Sequence, residues 1–271
     1  MSARDSRFAF GRNWRRFLSA LDEDRIAEAE KSLTSILEVR DLRGKSFLDV
    51  GCGSGLFSLA ARRLGAAVRS FDIDAECVAC AAELKRRYFP GDSAWAIEQA
   101  SALDLDYLKR VGTFDVVYSW GVLHHTGDLW RALAEVAQLV AEGGKLFVAI
   151  YNDQGRTSTR WRLIKRTYNA LPRGMRFLIL WPAFARLWGP TMIRDLLRGR
   201  PFSTWRNYAR SSRGMSPWRD AVDWVGGYPF EVARPEEVFD FCRARGFALR
   251  RLKTCAGGRG CNEFVFQRAS G

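Results

Sequence analysis

Apolar residues along this chain change their rhythm twice. Over residues 1–45 they recur three and four apart, first as Trp14, Phe17, Leu18 and Leu21 and then as Ile26, Ala29 and Leu33. That spacing predicts helices with one buried side, the first of them also a candidate cofactor lid. From Phe47 onward short apolar runs take over: Phe47–Val50, Ala67–Asp74 (ending in acids), Phe114–Trp120 and Leu146–Ile150. Each reads as a buried strand, and helical patterns lie between them. Leu56, Leu59, Ala60 and Leu64 mark one such helix; a helix over 130–142 is another, ended by Gly143-Gly144. Strands alternating with helices predict an α/β body around a mostly parallel sheet. After Tyr151 the alternation stops. Residues 152–219 read as an inserted helical module punctuated by Pro172, Pro182, Pro190, Pro201 and Pro217. A helix over 235–245 opens with Pro235, and strands over 247–254 and 262–267 flank a glycine-rich turn, Gly257-Gly258-Arg259-Gly260.

The stretch Phe47-Leu48-Asp49-Val50-Gly51-Cys52-Gly53-Ser54-Gly55 runs a strand into three alternate glycines and then a helix. Such a turn lets a backbone approach a nucleotide-like ligand closely, and a Cβ at Gly51, Gly53 or Gly55 is expected to push that ligand away. The spacing G-x-G-x-G differs from the dinucleotide G-x-G-x-x-G, and no G-x-x-x-x-G-K-[ST] is present, which excludes a phosphate-cradling loop. Asp49, at the strand end, is suited to an ammonium group. Asp72 lies about twenty residues beyond the turn, where a ribose-binding carboxylate falls in doubly wound folds.

These residues, with Phe114-Asp115-Val116-Val117 and Gly121-Val122-Leu123-His124-His125, make residues 35–151 resemble the class I S-adenosylmethionine-dependent methyltransferases. The resemblance implies a Rossmann-like, seven-stranded, mostly parallel sheet with helices on both faces, completed by a terminal antiparallel hairpin. It implies S-adenosylmethionine as methyl donor, held above the carboxyl ends of the strands. The cofactor-binding set it suggests is Asp49, Gly51, Cys52, Gly53, Gly55, Asp72, Ile73, Ser101, Ala102, Ser119 and Trp120. Many relatives carry an acid where this chain has Ser101. The implied organisation is an N-terminal helical segment (1–45), a cofactor-binding core (46–151), a basic helical lid or insertion near the acceptor site (152–230), and a C-terminal helix and hairpin (231–271).

Charge sharpens that division. The chain carries +13 overall, yet residues 156–219 alone hold fifteen Arg or Lys against one acid, Asp195. Five of the ten tryptophans sit there too: Trp161, Trp181, Trp188, Trp205 and Trp218. A basic, Trp-rich insertion suits an anionic small substrate, peripheral contact with an anionic membrane, or a solvated lid with its own small core. Nucleic acid is the weakest reading, because no RNA-binding motif accompanies the charge. There is no secretory h-region and no apolar run long enough to span a membrane, so a cytoplasmic protein with reduced thiols is expected. Cys77-x-x-Cys80 has no second pair, and no metal is expected.

Methyl transfer from a sulfonium is an in-line displacement, so the protein mainly aligns acceptor, methyl and sulfur. A base helps where the acceptor is a phenol or thiol. The two histidines, His124 and His125, follow the third expected strand, Phe114–Trp120, and one of them is a candidate base. Tyr151 and Tyr228 are the other catalytic candidates, and Asn152, Gln154 and Arg160 the candidate acceptor contacts. The loop Gly226-Gly227-Tyr228 is expected to be mobile. The leading expectation is O-methylation of a small, lipophilic phenolic or quinone-type acceptor. S-methylation of a thiol or sulfide stands second, and a non-catalytic cofactor sensor third.

Overall fold

The computed structural model describes residues 21–211 and 217–270. Helix α1 (Glu23–Leu37) starts at Asp22, whose carboxylate accepts the Arg25 N–H at 3.0 Å. It buries Ile26, Ala29 and Leu33, the stripe expected to face the core. Trp14, Phe17 and Leu18 lie outside the described residues. Then follow β1 (Ser46–Val50), α2 (Leu56–Arg63), β2 (Ala67–Asp72), α3 (Ala75–Tyr88), β3 (Trp95–Gln99), α4 (Leu105–Val111), β4 (Phe114–Trp120), α5 (Leu129–Gln138) and β5 (Val140–Tyr151). Helices α6 (Arg156–Ala170), α7 (Phe177–Leu197), α8 (Ser203–Ser211) and α9 (Pro217–Gly226) make up the excursion. Helix α10 (Pro235–Arg243) and strands β6 (Phe247–Lys253) and β7 (Cys261–Arg268) complete the chain.

The seven strands form one sheet in the order β3-β2-β1-β4-β5-β7-β6. Pairs among β1 to β5 are parallel, and β7 runs antiparallel to both β5 and β6. One face packs on α1, α2 and α3 through Leu33, Phe47, Leu59, Leu84 and Trp95. The other packs on α4, α5 and α10 through Leu108, Leu133, Val136, Val238 and Phe266. Strands buried on both faces explain the unbroken apolar runs of the sequence. The carboxyl ends of β1, β2 and β4 therefore meet at one edge, where the strand order reverses.

Two expectations change. The helix predicted over 130–142 ends at Gln138, and β5 already begins at Val140 and runs through Gly143 and Gly144. Pairing with β4 slips there, between Phe114 and Val116. A Cβ on Gly144 would lie 2.8 Å from the Ala141 carbonyl and 2.9 Å from that of Asp115, so this glycine serves a bulge inside a strand. The strand expected over 67–74 ends at Asp72, and Asp74 instead caps α3 by accepting the Glu76 N–H at 2.9 Å. Among the described residues, no helix is long and apolar enough to cross a membrane, and no three His, Cys, Asp or Glu side chains are grouped to hold a metal ion.

Candidate active site

β1 delivers Asp49 and the glycine turn to the carboxyl edge. The N–H groups of Gly51 and Cys52 both donate to the Phe71 carbonyl, at 2.8 and 3.0 Å, which lays the turn against β2. Gly51 and Gly55 have φ of 72° and 81°. A Cβ on Gly51 would fall 2.4 Å from Cγ1 of Val122, and one on Gly55 2.8 Å from Cα of Ala81. The protein's own packing, against the loop after β4 and against α3, thus requires these two glycines.

Asp49 is only 3% exposed. Its Oδ2 accepts from Ser58 at 2.5 Å, the Ser58 hydroxyl accepts from Ser70 at 2.8 Å, and Ser70 accepts from Trp95 Nε1 at 2.9 Å. A relay of donors from β3 to β1 therefore ends on this carboxylate. Burial outweighs the Ser58 bond and pushes the Asp49 pKa up to about 7. At neutral pH the carboxyl sits near its midpoint, and a cation brought close would expel its proton.

Asp72 braces the same turn. Its Oδ2 accepts the Gly53 N–H at 3.0 Å and its Oδ1 the Asp74 N–H at 2.9 Å. Burial raises its pKa against the pull of these backbone donors. A carboxylate oxygen has room for a second donor, so both can still accept from a pair of vicinal hydroxyls. Ile73 beside it is 48% exposed, an apolar surface that a flat ring would cover. A diol acceptor, an apolar platform and a buried acid for a cation fit the parts of S-adenosylmethionine. Ala102 is buried, and the Ser101 hydroxyl accepts the Leu103 N–H at 3.2 Å, closing its own turn. Ser119 is buried with its hydroxyl toward the Val50 carbonyl at 3.4 Å, so its side chain serves the β1–β4 contact instead of the expected cofactor. Trp120 packs into the core beside α1 to α3, its indole N–H toward Glu263.

The acceptor end is built where β4 and β5 stop. His124 is completely buried, and its Nδ1 accepts the backbone N–H of Tyr151 at 3.2 Å. A neutral imidazole has one acceptor nitrogen, so Nε2 carries the proton. Burial, His125 and Lys165 hold its pKa well below the usual range. With its lone pair taken, His124 is a donor and not the base expected from the sequence. His125 has the opposite tautomer. Its Nδ1 lies 2.7 Å from the Pro229 carbonyl, which can only accept, so Nδ1 bears the proton and the lone pair is on Nε2. Burial brings the His125 pKa down to about 4. Tyr151 stacks on His124 with ring centroids 3.8 Å apart, and burial raises its phenol so far that it stays protonated.

The remaining candidates divide. The Asn152 amide donates to the Gly258 carbonyl at 3.3 Å and accepts from Asn262 at 3.0 Å; the Gln154 amide donates to the Gly257 carbonyl at 3.0 Å. Both fasten the β6–β7 turn, so these amides do not face an acceptor as expected. Arg160 is exposed on α6 and joins no part of the site. Tyr228 packs with Trp161, Trp224 and Phe230. Its loop is held, contrary to the expected mobility: Gly226 and Gly227 are buried, the Glu231 N–H donates to the His124 carbonyl, and the Glu231 carboxylate accepts the N–H groups of Gly127 and Leu129.

Sequence reasoning passes over Lys165. It lies on the buried face of α6, between Trp161 and Tyr168, and none of it is exposed. Its ammonium donates to the Trp224 carbonyl and sits 4.4 Å from the Trp224 ring centre and 4.7 Å from that of Phe230. Burial lowers its pKa to about 7. A lysine three and four residues from aromatics on one helix side was the available signal.

A family model described as a methyltransferase domain matches residues 48–148. The ubiquinone biosynthesis O-methyltransferase of Xanthomonas oryzae pv. oryzae is 32% identical over 181 residues, spanning 64% of this chain and 72% of the relative. That of Xanthomonas campestris pv. campestris is 31% identical over 179 residues, 63% of this chain and 72% of the relative. Among solved structures, magnesium protoporphyrin IX methyltransferase from Synechocystis PCC 6803 with bound SAH superposes with a TM-score of 0.53 at 13% identity, over 90% of this chain and 83% of that one. A putative methyltransferase from Bacillus halodurans C-125 gives 0.53 at 12% identity, over 89% and 100%.

Proposed function

The chain belongs to the class I S-adenosylmethionine-dependent methyltransferases, and on that premise we propose that it methylates a hydroxyl oxygen of a small, lipophilic phenolic or quinone-type acceptor. S-adenosylmethionine is the methyl donor and supplies an activated methyl on a sulfonium. Asp72 would hold the ribose hydroxyls, Ile73 would face the adenine, and Asp49 would balance the positive charge. The observation that carries the acceptor reading is the aromatic wall at the ends of β4 and β5. The Tyr151 ring lies 5.3 Å from Trp224 and 5.4 Å from Phe230, with Tyr228 packed beside them. A planar acceptor stacks on such a wall, and the His124 Nε2–H can orient an acceptor oxygen through its lone pairs. The O-methyltransferase names of the relatives support oxygen as the receiving atom.

The same reading sets the work of the enzyme at an anionic membrane surface. Nine of the eleven large apolar side chains exposed among the described residues fall between Leu163 and Phe202. Phe177, Leu178 and Trp181 form one turn-spaced group on α7, and Ile193, Leu196 and Leu197 another. Arg173, Arg176, Arg194 and Arg198 stand beside them. Apolar and Trp side chains set among cations suit the boundary between headgroups and acyl chains, where a lipophilic acceptor is stored.

The deciding experiment offers labelled S-adenosylmethionine with matched panels of phenols and thiols. Label on phenolic oxygen is expected; label on thiols alone overturns the O-transfer reading in favour of S-methylation.

A further inference from the structure

Two buried polar atoms beside Tyr151 have no hydrogen-bond partner: Nε2 of His124 and Nε1 of Trp224. Both are donors, the first because its ring already accepts at Nδ1, the second because an indole N–H can do nothing else. Lys165 adds a third donor. Its ammonium has three N–H groups; one donates to the Trp224 carbonyl, and Asp223 is the carboxylate whose charge favours the protonated form. The three rings or head groups surround the same two aromatics. His124 stacks on Tyr151 at 3.8 Å, Trp224 meets Tyr151 edge-on at 5.3 Å, and the ammonium of Lys165 lies 4.7 Å from the ring centre of Phe230, itself 5.4 Å from Tyr151.

Donors buried without acceptors are disfavoured, and three together beside one ring pair ask for one kind of guest. It must bring lone pairs and negative charge, and it must tolerate aromatic walls. Folding alone does not demand a cation here. A leucine or methionine would fill the same space between Trp224 and Phe230 without the cost of burying an ammonium. Capping the Trp224 carbonyl at the end of α9 does not demand a charge either, since a neutral amide serves the neighbouring carbonyl, Asn169 donating to Gly226 at 2.8 Å.

We infer that Lys165, His124 and Trp224 form an oxyanion subsite that selects aromatic acceptors bearing an ionised oxygen, either a ring carboxylate or a phenolate. This rests on the acceptor reading above and narrows it to anionic rings. Lys165 provides the charge, and the two ring N–H groups fix the oxygen's direction. The subsite is distinct from the donor cleft, whose acids, Asp49 and Asp72, repel the same anion.

The test separates this subsite from methyl transfer by measuring binding without turnover. The protein saturated with S-adenosylhomocysteine is titrated calorimetrically with catechol, 3,4-dihydroxybenzoate and 4-nitrocatechol at pH 6.5, where an ammonium with a pKa of about 7 is mostly charged. Tighter binding of either anionic ring than of catechol is expected, and the two arms tell a carboxylate guest from a phenolate one. In Lys165→Met the preference for anionic over neutral rings falls ten- to a hundredfold. In Trp224→Phe, which keeps an aromatic ring and loses the N–H, it falls three- to tenfold. S-adenosylhomocysteine binding and thermal melting report whether each variant is folded; if Lys165→Met is not, Trp224→Phe decides. Equal affinity for neutral and anionic rings in the wild type, or a preference that survives the substitutions, overturns the subsite. Selective binding with no methylation of any phenol would leave the subsite standing and remove the O-transfer reading instead.

Discussion

The backbone N–H of Tyr151 donates to Nδ1 of His124 across the ends of β5 and β4. One bond thereby decides which nitrogen of a buried imidazole carries the proton. Nitrogen NMR of histidine-labelled protein is expected to show His124 as the Nε2–H tautomer, with no titration in the usual histidine range, because burial, His125 and Lys165 disfavour the imidazolium. His125 is expected to show the Nδ1–H tautomer in the same spectrum. Protonation of His124 near pH 6.5 would contradict the assignment.

Asp72 joins the turn to the ribose end of the donor cleft. Asp72→Ala is expected to weaken S-adenosylmethionine by about 1.5–3 kcal/mol, the range of a hydrogen bond to a charged group. The loss of an acceptor for the Gly53 and Asp74 N–H groups adds to this by loosening the turn. Calorimetric titration at pH 8 reads the change; an unaltered affinity removes Asp72 from the cofactor site.

Asp49 gives a pH dependence of known sign. Its folded pKa, about 7, lies above its ordinary value of 3.8. The folded carboxyl therefore binds more protons than the unfolded one between these values. Stability without cofactor falls as pH rises from about 4 to 7 and is level above. Asp49→Asn is expected to melt higher than wild type at pH 8 and close to it at pH 4. A cationic donor prefers the ionised form, so wild-type affinity for S-adenosylmethionine should rise up to tenfold per pH unit toward pH 7 and then flatten. In Asp49→Asn that slope disappears. A wild-type affinity independent of pH between 5.5 and 8 would show that this charge is not felt at the cofactor.

Gly51 and Val122 should be coupled in stability. Gly51→Ala drives a Cβ into Val122 from a left-handed backbone and is expected to cost about 1–3 kcal/mol, as overpacking does. Val122→Ala in the same chain should recover part of this, with a coupling of about 0.5–3 kcal/mol in a denaturation cycle. Strict additivity would return the glycine to its expected role in ligand approach.

The α7 surface should bind vesicles containing phosphatidylglycerol at low salt and release them as salt rises. A Leu178→Glu, Leu197→Glu double variant is expected to lose flotation while binding S-adenosylhomocysteine normally. Wild-type protein that stays at the bottom of the gradient at low salt ends the membrane proposal.

The donor half was legible because its signals are local. Phe47–Val50, the glycine turn and Asp72 announce themselves over a few residues, and the parallel strands buried on both faces leave continuous apolar runs. Strand β3 was not read, since Trp95-Ala96-Ile97-Glu98-Gln99 lies at the sheet's edge and mixes polar with apolar residues. Gly143-Gly144 misled for a related reason. Two glycines after an amphipathic helix resemble a stop, while the bulge they permit depends on Asp115, far away in sequence. The acceptor half is long-range throughout. Asn152 and Gln154 look poised for a ligand until the β6–β7 turn comes round to take their amides. The tautomer of His124 depends on one N–H of another strand. Lys165 looks like any lysine in a basic helix until Trp224 and Phe230, about sixty residues later, enclose it.

The excursion that carries α6 to α9 leaves and rejoins the body at a single point. Asn152 bridges to Ala233, the Asp153 N–H donates to the Ala233 carbonyl at 3.1 Å, and the Ala233 N–H donates to the Tyr151 carbonyl at 3.0 Å. A neck stitched this closely makes the whole helical unit an exchangeable cassette. On the function proposed above, its replacement would alter what is methylated and where, while the hand that holds the methyl group would stay as it was.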